Sequence, residues 1–296
     1  MTRINLPFYM PEVMNHLMIV VNYIDVTGKE KQGLFVIDSG STDSYIASNA
    51  LDMAKIKVTQ KQIEDYQNGW VTHWVKTCQL ELGMGSERIR EEFFVSDSSI
   101  FDDDVIGILG NRFLQRNGLA IDYGTLSLRT SDIDHSNLCI GDCAYFFPME
   151  PGLRAFGVPV LMLRGRNGQD YVALADTGSD ANVITEEKLH DATQHYRRTK
   201  EGNCVQMLDS QLQTTKAAAK VLLGSLQGGE EYLRFDHHAI EFLVIDRDVI
   251  LTSADDGSAD GESDRERVDA IIGNSFLRSQ GLILDFNAKI IYKRKV

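Results

Sequence analysis

The chain has 296 residues, 43% of them hydrophobic, which is enough for two ordinary domains that each bury a core. Its formal net charge of −13, with no stripe of Lys and Arg, argues against a partner held mainly through phosphates, so no nucleic acid is expected. The longest purely apolar run near the amino terminus, Leu17 to Val21, falls far short of the roughly 20 residues that cross a bilayer, so no membrane partner is expected either.

Residues 1–15 contain Arg3, Pro7, Pro11 and Glu12 but no continuous apolar stretch. The sequence as given therefore reads as cytoplasmic, and as secreted or periplasmic if a leader has been removed. Cys78, Cys139, Cys143 and Cys204 are too few and too scattered for a disulfide framework. Cys139 and Cys143 lack CxxC spacing and a second ligand pair, and His237-His238 has no Cys beside it, so no metal site is expected.

In chain order, the first half begins with an apolar segment His16 to Asp25, a turn at Thr27-Gly28, and a second apolar segment Leu34 to Ile37 that runs into Asp38-Ser39-Gly40-Ser41. Short β-rich runs joined by a Gly-containing turn read as a hairpin, with the Asp motif at the tip of its second strand. Ser44-Tyr45-Ile46 leads back into structure, and Asn68-Gly69 marks a second hairpin whose far strand ends at Cys78 to Gly83. Phe93 to Asp97, Ile108 to Leu114 and Ala120 to Tyr123 complete this half. Ser131 to Phe156 is the least repetitive stretch and carries Pro148, Pro151 and Gly152. It places a domain boundary near residue 145, giving lobes 1–145 and 146–296.

The second half repeats the first. Val158 to Leu163, a turn at Asn167-Gly168 and Tyr171 to Ala175 run into Asp176-Thr177-Gly178-Ser179, 138 positions after the first motif. Asn182-Val183-Ile184 follows, and Thr185 to Ala192 reads as a short helix capped by Thr185. Asp209-Ser210 is the turn of a second hairpin, and Ala219 to Gly224 matches Cys78 to Gly83 at an offset of 141. Phe242 to Asp246 matches Phe93 to Asp97 at 149, while Ile271 to Leu277 and Ile283 to Phe286 match Ile108 to Leu114 and Ala120 to Tyr123 at 163. The offset grows because of insertions at Ser225 to Tyr232 and Ser253 to Asp264. The second insertion is acidic but no calcium loop: counted from Asp256 its twelfth position is Arg267, and counted from Asp255 its sixth position is not Gly.

One Asp-[Ser/Thr]-Gly-[Ser/Thr] string arises by chance in roughly one chain of this size in fifty to a hundred, so a lone copy is weak. Two copies in register with two hydrophobic-hydrophobic-Gly segments are not. Two carboxylates brought together cannot both ionise comfortably, so the pair shares a proton and one member serves as base while the other serves as acid.

The two motifs, each followed at a distance by Ile108-Leu109-Gly110 or Ile271-Ile272-Gly273, resemble the signature of the aspartic proteases of the pepsin and retropepsin clan. Ile271 to Tyr292 is similar to the carboxy-terminal lobe of pepsin-like enzymes, while the small lobes and the absence of a disulfide pattern are more similar to retropepsins. The resemblance implies an all-β fold of two homologous acid-protease β-barrel lobes with short helices, related by a pseudo-twofold axis, as in a retropepsin dimer fused into one chain. It implies a monomer that hydrolyses peptide bonds in a peptide or protein substrate and needs no cofactor. Asp38 and Asp176 would be the catalytic dyad. Ser39 and Thr177 would bond across the lobe interface, Ser41 and Ser179 would bond the outer carboxylate oxygens, and Gly40 and Gly178 would let backbone N–H groups approach the carboxylates. The hairpin turns would be flaps over the substrate, with Asn68, Gly69 and Trp70 in one and Asp209 and Ser210 in the other. A peptide-binding or regulatory module that keeps the cleft without useful turnover is the alternative function.

Overall fold

A computed structural model of the chain describes residues 4–9, 16–53, 56–65, 69–96, 104–132, 143–145, 159–164, 170–185, 196–197, 204–206, 212–214, 217–221, 240–245, 249–250 and 267–293. These form an all-β, two-lobed fold with two short α-helices, α1 (Asn111–Arg116) and α2 (Asn274–Ser279). Strand Met18–Ile24 illustrates the local cause: Ile19, Val21 and Tyr23 turn inward while Val20 and Asn22 face outward, the period of two that a sheet with one buried face requires.

Each lobe holds a seven-stranded sheet, and the two sheets have one strand order. In the first the order is Met18–Ile24, Glu30–Ile37, Val105–Leu109, Tyr45–Ala47, Glu87–Ser96, Gly69–Met84 and Lys57–Asp65. In the second it is Val160–Arg164, Asp170–Asp176, Ala270–Gly273, Val183–Thr185, Ile240–Ile245, Ala217–Val221 and Tyr196–Arg197. Registers repeat as well: Ile37 lies opposite Leu109 in a parallel pair, and Ala175 lies opposite Ile272 in its counterpart.

A third sheet joins the lobes. Its six strands run Asn5–Pro7, Ser127–Thr130, Leu119–Asp122, Leu282–Asp285, Ile290–Lys293 and Cys143–Tyr145. At its centre Ile121 faces Leu284 while Asp122 faces Ile283 and Ala120 faces Asp285, so each lobe offers the other the same three positions. Such reciprocal pairing is the signature of a twofold relation. At the sheet edges, Cys143–Tyr145 pairs with Tyr292, Ile291 and Ile290 in the register that Asn5–Pro7 adopts on Arg129, Leu128 and Ser127. Buried apolar side chains from both lobes, among them Phe35, Phe113, Phe242 and Leu284, join in one cluster.

The first predicted flap hairpin forms as strands Lys57–Asp65 and Gly69–Met84, with Asp65 opposite Gly69 and Trp70 opposite Glu64. Asn68, at its turn, and the side chain of Trp70 lie outside the described residues. In the second half Cys204–Gln206 pairs with Leu212–Thr214. Asp209 and Ser210 between them lie outside the described residues, as do the helix expected from Thr185 to Ala192 beyond Thr185 itself and the two insertions.

Candidate active site

Asp38 follows the last residue of strand Glu30–Ile37, and Asp176 closes strand Asp170–Asp176. Each strand end is anchored to the hydrophobic-Gly segment beside it. The Asp38 N–H donates to Leu109 O at 3.1 Å, and Asp176 pairs with Gly273 in the parallel ladder. The loops beyond are then tied to the helices: Asn111 N–H donates to Ser41 O at 2.8 Å, and Asn274 N–H to Ser179 O at 2.6 Å. Gly110 and Gly273 permit this approach, since a Cβ at Gly110 would stand 2.9 Å from Ser41 O and one at Gly273 2.8 Å from Ser179 O.

The two loops grip each other where the pseudo-twofold axis passes between them. Ser39 N–H donates to Thr177 Oγ1 at 3.0 Å and Thr177 N–H to Ser39 Oγ at 2.9 Å. The hydroxyls then donate onward, Ser39 Oγ to Ala175 O at 2.7 Å and Thr177 Oγ1 to Ile37 O at 2.8 Å. All four bonds are buried, so both N–H groups and both hydroxyls are satisfied and losing either hydroxyl would orphan the N–H that it receives. The expected cross-lobe bonding of Ser39 and Thr177 is present.

This grip brings the carboxyl groups of Asp38 and Asp176 into a hydrogen bond with each other. Asp38 Oδ1 also accepts from Gly40 N–H at 2.9 Å and Ser41 N–H at 3.0 Å, and Asp176 Oδ1 accepts from Gly178 N–H at 2.9 Å. The glycines meet the opposite carboxyl as well: a Cβ at Gly40 would lie 2.6 Å from Asp176 Cγ, and one at Gly178 2.6 Å from Asp38 Oδ1. Ser41 and Ser179 bond the carboxylates through their backbone N–H groups and not through their hydroxyls. Their hydroxyls donate to the carbonyls two residues on, Asp43 O at 3.0 Å and Ala181 O at 2.9 Å, because the loop turns those carbonyls back toward them.

Burial raises the pKa of both carboxyls, and for Asp176 the adjacent Asp38 charge adds to it. Both are raised, so the two carboxyls hold a proton between them and titrate as one pair. Two carboxyls held this way can remove a proton from one group and supply a proton to another in a single encounter.

The lobes differ in what surrounds this centre. Arg112 pairs with Asp43 at 2.8 Å beside the first loop, whereas Ser275 and Ala181 occupy the matching places of the second. Tyr123 reaches across the lobes and donates its hydroxyl to Asn274 Oδ1 at 2.6 Å. Its counterpart is Phe286, and the counterpart of Asn274, Asn111, receives Gln115 Nε2 at 2.7 Å instead. Burial, and after it the Asp176 charge, pushes the Tyr123 hydroxyl well above the ordinary tyrosine range. The sequence carried a signal for it, a single hydroxyl distinguishing two otherwise matched apolar segments. Tyr123→Phe should cost about 1–3 kcal/mol, because Asn274 Oδ1 would be left buried without its donor. Urea denaturation would measure it, with Phe286→Leu as a comparison that removes no hydrogen bond.

Comparison with known proteins adds little to this geometry. No family model matches the chain, and no curated protein matches it. Among solved structures it is distantly similar to the aspartic proteinase from Irpex lacteus, with TM-score 0.48 and 16% identity over 98% of this chain and 96% of that one. It is also similar to Basic 7S globulin from soybean, with TM-score 0.46 and 8% identity over 98% of this chain and 94% of that one.

Proposed function

We propose that the chain is an aspartic endopeptidase, a single-chain retropepsin-like enzyme whose two lobes arose by duplication and each supply one aspartate. The observation that supports this reading best is the hydrogen bond between two buried carboxyls from separate lobes, both with raised pKa. In this arrangement the ionised member of the Asp38/Asp176 pair draws a proton from a water as the water attacks the amide carbonyl, and the protonated member protonates the carbonyl oxygen as its charge develops. Two aspartates sharing one proton are the general device of aspartic proteases, so this mechanism comes with the resemblance as much as with the geometry. Activity then needs one proton on the pair, and its pH profile is bell-shaped, falling in acid when the pair takes up a second proton and in base when it loses its only one.

The substrate is an extended peptide that pairs its backbone with the hairpin Lys57–Asp65 and Gly69–Met84. Both halves of the site come from one chain, so a monomer suffices. The lobes that accompany this reading are 1–145 and 146–296, and Cys143–Tyr145 pairs with Ile290–Lys293 in the register that Asn5–Pro7 adopts on Ser127–Thr130.

The test is to incubate the protein with a proteome-derived peptide library from pH 3 to pH 8 and read new termini by mass spectrometry. New termini within a bell-shaped pH range are expected. Peptides captured intact at every pH would replace the reading with that of a binding module.

A further inference from the structure

The interlobe sheet holds its two halves by the same backbone bonds: Tyr123 N–H donates to Leu282 O at 3.0 Å, and Phe286 N–H donates to Leu119 O at 3.0 Å. The backbone is twofold at this point, and the side chains are not. In the first lobe the helix clamps its own active-site loop, because the Asn111 amide donates to Ser39 O at 3.3 Å while its Oδ1 receives Gln115 Nε2, one helical turn on, at 2.7 Å. The second helix lacks that glutamine: Arg278 stands in its place and is exposed. Asn274, 1% exposed, has instead a single side-chain hydrogen bond among the described residues, the one from the Tyr123 hydroxyl of the other lobe, and its Nδ2 is buried without a partner there.

Resting on the protease reading above, we propose that Tyr123 is a positioning residue of the site: from the first lobe, its hydroxyl fixes Asn274 and with it the loop that presents Asp176. The path is short. Asn274 follows Gly273, which lies opposite Asp176 in the parallel ladder, and its own N–H donates to Ser179 O at 2.6 Å. Tyr123 and Asn274 are both buried, where a lone hydrogen bond to an amide is costly to lose, so the hydroxyl sets how the Asn274 side chain is held. The loop carrying Asp38 is thus clamped from within its own lobe, and the loop carrying Asp176 from across the junction. Reacting groups tolerate little misplacement, since a shift of about 1 Å costs on the order of 100-fold in rate. Losing the hydroxyl releases one clamp of several, because the Asn274 N–H bond and the Ser39 and Thr177 grip remain, so the loss is a fraction of that. Substrate binding is spared, because the hairpin Lys57–Asp65 and Gly69–Met84 belongs to another sheet than the strand that leads into Tyr123.

The experiment measures kcat and KM for the wild type, Tyr123→Phe, Arg278→Gln and the double variant Tyr123→Phe/Arg278→Gln, with one fluorogenic peptide taken from the cleaved members of the library, well below the melting temperature of each. Tyr123→Phe should lower kcat by about 10-fold and leave KM within about twofold of the wild type. Arg278→Gln places a glutamine four residues after Asn274, as Gln115 stands four after Asn111, and so gives the second helix a clamp of its own. The effect of Tyr123→Phe on kcat should therefore largely vanish in the Arg278→Gln background. A Tyr123→Phe kcat equal to that of the wild type means that the hydroxyl serves stability alone and overturns the proposal, as does a loss that Arg278→Gln leaves in place. The two readings fail separately. A wild type that cleaves nothing at any pH removes the protease reading and this inference with it, whereas an active wild type matched in kcat by Tyr123→Phe removes the inference alone.

Discussion

Gly178→Ala should abolish peptide cleavage and lower the melting temperature while leaving the far-ultraviolet spectrum unchanged. The new methyl group would stand 2.6 Å from Asp38 Oδ1, well inside van der Waals contact. Asp38 cannot step aside: it is 5% exposed, its Oδ1 accepts the Gly40 and Ser41 N–H groups, and its carboxyl is bonded to Asp176. Relief must come from separating the two loops, which breaks the Ser39 and Thr177 bonds that hold them. Overpacking of this kind costs about 1–3 kcal/mol, or about 5 °C in melting temperature for a chain of this size. Gly40→Ala should behave alike, through Asp176 Cγ at 2.6 Å. Differential scanning calorimetry beside a cleavage assay checks both, and a fully active alanine variant at either glycine would contradict the described junction.

Asp176→Asn should make the protein more stable than the wild type at neutral pH, with the advantage disappearing in acid. The sign follows from the raised pKa. A carboxyl whose folded pKa lies above its unfolded value keeps its proton in the folded state while the unfolded chain gives it up. Its contribution to stability is whole below the unfolded value, about pH 4, and is lost as pH rises through the folded value. Burial and the Asp38 charge put the folded value well above the ordinary one, so stability falls as pH rises from about 4 toward neutral. An asparagine amide avoids it and can still donate to Asp38. Asp25 works in the opposite direction: its carboxylate accepts from Thr27 N–H at 2.8 Å and Lys29 N–H at 3.1 Å, and lies 3.0 Å from Lys31 Nζ. The Thr27 hydroxyl above all holds its pKa below the ordinary range, so that contribution is present above about pH 4 and is lost in acid. Thermal melts from pH 3 to pH 8 separate the two, and superimposable curves for wild type and Asp176→Asn would contradict the coupled pair.

Much of this was legible in the sequence because the repeat is written in residues that have little freedom. The motif must place Asp, a hydroxyl and Gly at consecutive positions, and the segment beneath it must end in Gly, since a Cβ at Gly110 or Gly273 would meet the loop carbonyls. Strand order and register follow from those anchors. The edge strand Cys143–Tyr145 could not be matched to Asn5–Pro7 by side chains, as Cys-Ala-Tyr and Asn-Leu-Pro have nothing in common. An edge strand is recruited through its backbone, and only the register on Ile290–Lys293 reveals the equivalence. That Ser41 and Ser179 use their backbone N–H groups and turn their hydroxyls away is hidden in the sequence for a related reason. The sequence puts a donor near the carboxylate, but the path of the loop decides that a carbonyl two residues on is closer.

The most direct test compares cleavage of one peptide by the wild type, Asp38→Asn and Asp176→Asn at the pH of greatest activity, with folding of each variant checked by its melt. If the two carboxyls are base and acid of one site, each substitution lowers kcat/KM by at least about 1,000-fold, and the double variant is little worse than either single one. A wild-type rate in either single variant would contradict the account.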